Sequence, residues 1–220
     1  MILAAGRGER MRPLTDRTPK PLLRAGGRPL IDYHIAALAA AGFRRIVVNV
    51  SWLAEQIIAH LGDGSRFGVE LLISNERAEP LETAGGIRKA LPLLGDAPFL
   101  VINGDIWTDY PLADLAPPAG LARLVLVDNP PHHEQGDFVL DDGRVRIGRP
   151  GERRLTFSGL GFYRPELFFQ LDDGSRALAP LLRSAMEAER VDGEHYHGAW
   201  FDIGTPARLE QLEHLLANQA

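Results

Sequence analysis

The first half of the chain alternates short apolar runs with helical patterns, and this alternation restricts the fold more than any other feature. Met1–Ala4 is a short apolar run that ends at glycines. Leu30–Ala41 sets Ile31, His34, Ile35 and Leu38 on one stripe and stops at Gly42, the pattern of an amphipathic helix closed by glycine. Arg45–Val50 (RIVVNV) has the content of a buried strand, and Ser51 is placed to cap a helix running through Leu61. Glu70–Ser74 repeats the strand pattern, Thr83–Leu91 the helix, and Phe99–Asn103 (FLVIN) the buried strand. Strands separated by helices pair in parallel, with the helices covering the sheet faces. The expected class is therefore α/β, a mixed, mostly parallel central sheet flanked by helices. Ligands of such sheets sit beyond the carboxyl ends of the strands, which points to the loops leaving Ala4 and Asn103.

Beyond Leu121 the rhythm changes. Leu121–Asp128, Phe138–Leu140, Arg144–Ile147 and Leu155–Tyr163 are strand-like, and Pro165–Leu171 and Leu178–Glu189 are helical. Trp200–Ile203 and a last helix, Pro206–Asn218, complete the reading. Leu209, Leu212, Leu215 and Leu216 form a stripe expected to pack against the sheet. No repeat or linker interrupts the chain, so residues 1–220 are expected to form one domain. A nucleotide half would span about 1–115 and an acceptor half about 116–220.

Charge and composition exclude some partners. A net charge of −5 does not suit a surface that coats nucleic acid. Without cysteine there is neither a disulfide framework nor a thiolate metal site. No apolar run reaches the roughly 20 residues that span a bilayer, and charges follow Met1–Ala5 too soon for a signal peptide. A soluble, cytoplasmic protein is expected, with no membrane partner.

The loop Leu3 to Lys20 carries the first chemistry. Ala5, Gly6 and Gly8 leave little side-chain volume, so backbone N–H groups can approach a phosphate. Arg7, Arg10, Arg12 and Lys20 add positive charge. No GKS or GKT follows, so this is not a Walker A loop, and the third glycine of the dinucleotide fingerprint is missing. Taken alone, the GxG is also an ordinary surface turn.

Gly6-Arg7-Gly8-Glu9-Arg10, Pro13-Leu14-Thr15 and Pro19-Lys20-Pro21-Leu22 together resemble the N-terminal motif of the sugar-1-phosphate nucleotidyltransferases, with Glu9 where threonine is usual. The resemblance continues in order through Pro80–Gly86 (PLETAGG), Asn103-Gly104-Asp105 and Trp200–Pro206 (WFDIGTP). It implies a Rossmann-like nucleotidyltransferase fold, related to the GT-A fold. It also implies transfer of a nucleotidyl group from an NTP to a sugar 1-phosphate, with release of pyrophosphate.

The residue roles below are those the resemblance implies. Leu3, Ala4, Ala5, Gly6, Arg7, Gly8 and Lys20 hold the nucleotide, together with Glu82, Thr83 and Gly85 at the base. Lys20 meets the α-phosphate and Arg10 the departing pyrophosphate. Asp105 and Asp202 bind Mg²⁺, which usually takes one or two carboxylates plus substrate oxygens and water. Asn103, Gly136, Asp137 and Glu152 face the sugar phosphate. Arg149-Pro150 stands where the family more often has Lys-Pro, and Ile147-Gly148 replaces the acidic residues before it. Glu9, the LETAGG loop and the short chain look closest to the branch that uses UTP and N-acetylmuramate 1-phosphate in peptidoglycan recycling. No assembly domain follows Pro206–Asn218, which suggests a monomer.

Blander roles compete at single positions. Asp105 suits a turn after a strand, Asp202 a helix cap, Lys20 a solvated turn, and Glu82 a cap for the next helix. Glu152 also suits a solvated turn. His132-His133 with Glu134 fits a solvated loop better than a metal site, and Trp52, Trp107 and Trp200 fit the core or a pocket wall. The alternatives for function are another pair (glucose or mannose 1-phosphate with UTP, dTTP or GTP) and a non-catalytic nucleotide-sugar sensor. A glycosyltransferase would need a DxD motif, which Asp105-Ile106-Trp107 does not supply.

Overall fold

A computed structural model describes residues 1–76 and 81–217. In chain order the elements are β1 (Ile2–Leu3), β2 (Arg24–Ala25), β3 (Arg28–Pro29), α1 (Leu30–Ala40), β4 (Arg45–Val50), α2 (Ala54–Leu61) and β5 (Glu70–Asn75). There follow α3 (Glu82–Leu94), β6 (Phe99–Asn103), β7 (Ile106–Thr108), β8 (Ala122–Val127), β9 (Val139–Asp141) and β10 (Arg144–Arg146). The chain closes with β11 (Thr156–Tyr163), α4 (Leu178–Glu187), β12 (Val191–Tyr196), β13 (Trp200–Asp202) and α5 (Pro206–Ala217). Short 3₁₀ turns lie at Glu9–Met11, Leu14–Asp16 and Lys20–Leu22.

The chain divides into two compact units that interleave in sequence. One comprises Met1–Pro80, Ile102–Ala113 and Trp200–Ala220, and the other Leu81–Val101 and Asp114–Ala199. Each unit is thus built from more than one stretch of the chain.

In the first unit the strand order is β5-β4-β1-β6, and every pairing is parallel. β4 is buried from Ile46 to Val50, as a parallel strand covered on both faces must be. β1 lies between β4 and β6, with Leu3 opposite both Asn49 and Asn103. The loops leaving β1 and β6 therefore start side by side at the carboxyl edge. α1 buries Leu30, Ile31, His34, Ile35 and Leu38, and fully burying each aliphatic side chain contributes about 1.5–3 kcal/mol. A small antiparallel ladder pairs β7 with β13 and sets Asp202 opposite Ile106.

One local expectation is corrected here. Ser51 does not cap α2: the turn Trp52-Leu53 intervenes, Leu53 takes the cap position at φ 48°, and no side chain bonds the helix end. α5 buries Leu212 completely and packs chiefly on β2 and β13.

In the second unit Phe99–Val101 of β6 is followed in strand order by β11, β8, β12, β10 and β9. β8 pairs antiparallel with β11 and parallel with β12. β12 (VDGEHY) is absent from the sequence reading because its residues are mostly polar. Arg123 of β8 bonds Asp192 at 3.1 Å and Glu194 at 2.7 Å across the pair. Gly193 is required there, since a Cβ would stand 2.5 Å from Val145 Cγ2 and 2.7 Å from the Leu124 carbonyl. Phe99, Tyr163 and Phe168 form an aromatic cluster in the core of this unit.

Candidate active site

The loop after β1 is held from beneath by a buried polar chain. Asn49, 3% exposed, accepts the Ala4 N–H at 2.7 Å through Oδ1. Its Nδ2 donates at 2.8 Å to Oε1 of Glu76, which is 2% exposed. Sequence reasoning missed both residues. Above them, Gly6 has open space where a side chain would stand, while Gly8 has φ +68° and packs on Thr15 and the Lys20 stem. Thr15 is buried and donates its hydroxyl to the Gly8 carbonyl at 2.9 Å, fixing the second bend of the loop. Arg7 lies 4.4 Å over the Trp52 ring and pairs with Glu9 at 3.2 Å. The Trp52 indole donates to the Thr15 carbonyl at 2.9 Å, so this tryptophan braces the loop wall.

Lys20 begins a 3₁₀ turn after Pro19, and its side chain is 9% exposed. Its Nζ donates to Asp105 Oδ2 at 2.7 Å, closing a link between residues 85 apart in sequence. The approach depends on Gly104, whose N–H bonds the Leu3 carbonyl at 2.8 Å and whose absent Cβ would sit 2.5 Å from that oxygen. The Gly-Asp turn is present, and it sets the Asp105 carboxylate against Lys20 of the loop after β1. Behind it, His34 is 3% exposed, and burial holds its imidazole down to about 4, neutral at physiological pH.

The β7–β13 ladder brings the second aspartate to the same place. The Ile203 N–H donates to the Asp105 carbonyl at 2.8 Å, and Asp202 precedes it. Asp202 Oδ2 accepts from Arg208 Nη1 at 2.6 Å; Arg208 lies in the first turn of α5 and was not singled out in the sequence. Gly204 leaves room for three charged groups at once. A Cβ there would stand 2.5 Å from Arg208 Nη2, 2.8 Å from Asp202 Oδ1 and 3.0 Å from Arg10 Nη2. Arg10 is exposed and has no ion pair among the described residues. Leu3–Gly8, Arg10, Lys20, Asn103, Asp105 and Asp202 therefore all lie in the first unit, at one edge of its sheet.

The other predicted residues lie in the second unit. Glu82 and Thr83 open α3, and Gly85 is buried in its first turns. The N–H groups of Ala84 and Gly85 bond the Arg176 carbonyl at 2.9 and 3.1 Å, and Gly85 packs against the Gly174 carbonyl. That glycine serves close packing. Pro80, of the same motif, lies outside the described residues.

Gly136 sits at φ +61° against Asn129. Asp137 accepts the Phe157 N–H at 2.8 Å and meets His133 Nε2 at 3.0 Å. Glu152 takes Arg146 through both oxygens, at 2.8 and 3.0 Å, and the Arg149 N–H at 2.6 Å. These bonds push its carboxyl down to about 2, the Arg146 guanidinium contributing most. Beside these loops lies a polar cavity of about 320 Å³, lined by Asn129, Glu134, Gln135, Glu152, Arg153 and Arg154 among others.

The first unit thus offers a small-residue cradle, a buried lysine and a free arginine beside two neighbouring aspartates. Such a set can neutralise a polyphosphate and hold one of its phosphorus atoms for attack.

Comparisons with known proteins agree with that chemistry. The profile of the family described as Nucleotidyl transferase matches residues 1–138. The N-acetylmuramate alpha-1-phosphate uridylyltransferase of Neisseria meningitidis serogroup B is 53% identical, covering 98% of this chain and 96% of that protein. A protein of the same name from Caulobacter vibrioides is 37% identical, covering 99% and 96%. A solved structure described as a putative glucose-1-phosphate thymidylyltransferase from Bacillus anthracis superposes with a TM-score of 0.87 at 20% identity, covering 98% of this chain and 93% of that one. The likeness in fold agrees with the expected mixed α/β class.

Proposed function

Because the chain belongs to the nucleotidyl transferase family, we propose that it transfers the uridylyl group of UTP to N-acetylmuramate 1-phosphate, giving UDP-N-acetylmuramate and pyrophosphate. The observation that carries the reading is the Lys20–Asp105 pair, set at 2.7 Å at the mouth of the glycine loop and beside the Asp202 loop. The near-full-length likeness to two proteins named for that reaction selects the substrate pair.

The acceptor is a phosphate monoester with a second pKa of about 6, so it arrives largely dianionic at neutral pH. No general base is required. The obstacle is the meeting of two polyanions. Backbone N–H groups of Ala5–Gly8 take phosphate oxygens, which Gly6 admits because nothing stands within 4 Å of its missing side chain. Lys20, released from Asp105, turns its ammonium to the α-phosphate. Arg10 receives the charge that builds on the departing pyrophosphate.

Asp105 and Asp202 are oxygen donors held together through the Ile203–Asp105 backbone bond, which fits a hard divalent cation such as Mg²⁺. Bound there, Mg²⁺ supplies charge neutralisation and alignment of the phosphates. Glu82, Thr83 and Gly85 are assigned to the uracil side, and Asn103, Gly136, Asp137 and Glu152 to the acceptor. The protein is read as a cytoplasmic monomer; no helix among the described residues is long and apolar enough to cross a membrane.

The test is a matrix of UTP, dTTP, GTP and CTP against N-acetylmuramate, N-acetylglucosamine, glucose and mannose 1-phosphates, read as pyrophosphate release. UTP with N-acetylmuramate 1-phosphate is expected to give the highest kcat/KM. A tenfold higher value for any other pair would refute the assignment, and nucleotide binding without release for every pair would identify a sensor instead. Light scattering at twice the 24.2 kDa chain mass or more would exclude the monomer.

A further inference from the structure

The second unit carries a cluster of metal-ligating side chains that the transfer reaction does not use. His195 lies near the end of β12 and His197 just beyond it, and their rings come together on one side of the chain. β12 runs parallel to β8 with Tyr196 opposite Val127, and His197 and Asp128 directly follow the ends of the two strands. Nε2 of His195 lies 3.2 Å from Asp128 Oδ1, and Nδ1 of His197 lies 4.0 Å from Asp128 Oδ2. One ligand atom from each of the three residues falls within 4.8 Å of the others. The imidazoles lean together with centroids 3.9 Å apart.

From these positions we propose that Asp128, His195 and His197 form a binding site for Zn²⁺ or a similar borderline transition cation, with a fourth position left to water. A tetrahedral ion with bonds of about 2.1 Å needs its ligand atoms about 3.4 Å apart. The Asp128–His195 spacing already meets this. The remaining closure falls on His197 and Asp128, whose side chains are 71% and 63% exposed and free to move.

The state of His195 supports the assignment. Its Nε2 is buried, and although close to Asp128 it makes no aligned hydrogen bond. That nitrogen faces the other two ligand atoms, the direction from which an ion would be held. Two imidazoles and one carboxylate form a donor set typical of zinc, and one that magnesium seldom adopts. The competing cation is Arg153, which reaches Asp128 Oδ1 at 3.4 Å with a side chain 82% exposed. A solvated pair of that kind is weak and yields to a divalent ion. A bound ion would tie the end of β12 to the start of the Asp128–Gly136 loop, which leads to Gly136 and Asp137.

The experiment is calorimetric titration of the intact protein with ZnCl₂ in buffer containing excess Mg²⁺, beside His197→Ala and Asp128→Asn. Both substitutions fall on exposed side chains, and melting in EDTA checks that each variant folds like the parent. One equivalent of Zn²⁺ bound by the parent, and at least tenfold weaker binding in both variants, is the expected result. The melting midpoint of the parent alone should rise with Zn²⁺. Absence of a saturable equivalent, or binding that either variant retains within tenfold, would overturn the site.

Discussion

Asn49→Asp is isosteric, keeps the oxygen that accepts the Ala4 N–H, and removes only the donor that faces Glu76. It thereby sets two buried carboxyl groups at the 2.8 Å spacing of the present hydrogen bond. With both ionised, and an effective dielectric of about 20, the repulsion is about 6 kcal/mol. Proton uptake by one of the pair is cheaper. Keeping a carboxyl of ordinary pKa, about 4, protonated at pH 7 costs about 4 kcal/mol, and at pH 5 about 1.4 kcal/mol. The folded variant therefore holds a proton that its unfolded chain releases above pH 4. Its raised folded pKa makes stability full at low pH and progressively lost as pH rises.

The gap in stability between parent and Asn49→Asp is thus expected to widen by about 1.4 kcal/mol per pH unit between pH 5 and pH 7. For a chain of this size each kcal/mol is about 2–4 °C in melting midpoint, so the gap grows from roughly 3–6 °C to roughly 8–16 °C. Melting of both proteins at pH 5, 6 and 7 measures it, with Asn49→Ala as a comparator that removes the same bond without adding a second carboxyl. The Ala4 N–H begins the loop proposed to hold the phosphates, so KM for the nucleotide should climb over the same pH range. A gap independent of pH, or a variant as stable as the parent at pH 7, would refute the Asn49–Glu76 link as the support of that loop.

Three further outcomes follow from the site. Asp105→Asn and Asp202→Asn should each lower pyrophosphate release by at least ~10²-fold while far-UV dichroism stays unchanged; release near the parental rate from either variant removes the metal role. Gly204→Ala puts a methyl within 3.0 Å of Arg208, Asp202 and Arg10, and should reduce kcat by more than it alters melting. A crystal structure with these three side chains unmoved would contradict that account. Arg146→Met should return the Glu152 carboxyl from about 2 toward the ordinary glutamate range, seen by carboxyl NMR titration. Since the parental value is depressed, the stabilisation it gives is present above the unfolded pKa and lost as pH falls through the folded one; a Glu152 that still titrates near 2 would mean that Arg146 is not the main cause.

Residues whose role follows from local pattern were legible in the sequence, and residues whose role follows from pairing across strands were not. The glycine loop, the run FLVIN and the stripe of α1 declare themselves because spacing along the chain dictates them. Asp105 and Asp202 were identified as a pair only through their motifs; what joins them is the β7–β13 ladder, a contact that no local pattern encodes. β12 was overlooked because its charged residues are satisfied by Arg123, so its apolar signal is weak. His195 near the end of β12 and His197 just past it come together with Asp128, which directly follows the paired strand β8. The adjacent pair His132-His133, which the sequence already suits to a loop, stands apart from them, and His133 meets Asp137. Asn49 illustrates the same limit. In RIVVNV it interrupts an apolar strand at a position where a buried amide would be costly, and that cost implies a buried partner. The sequence signals the need for such a partner, but only the parallel pairing of β4 with β5, which sets Val50 opposite Asn75, carries Glu76 to it.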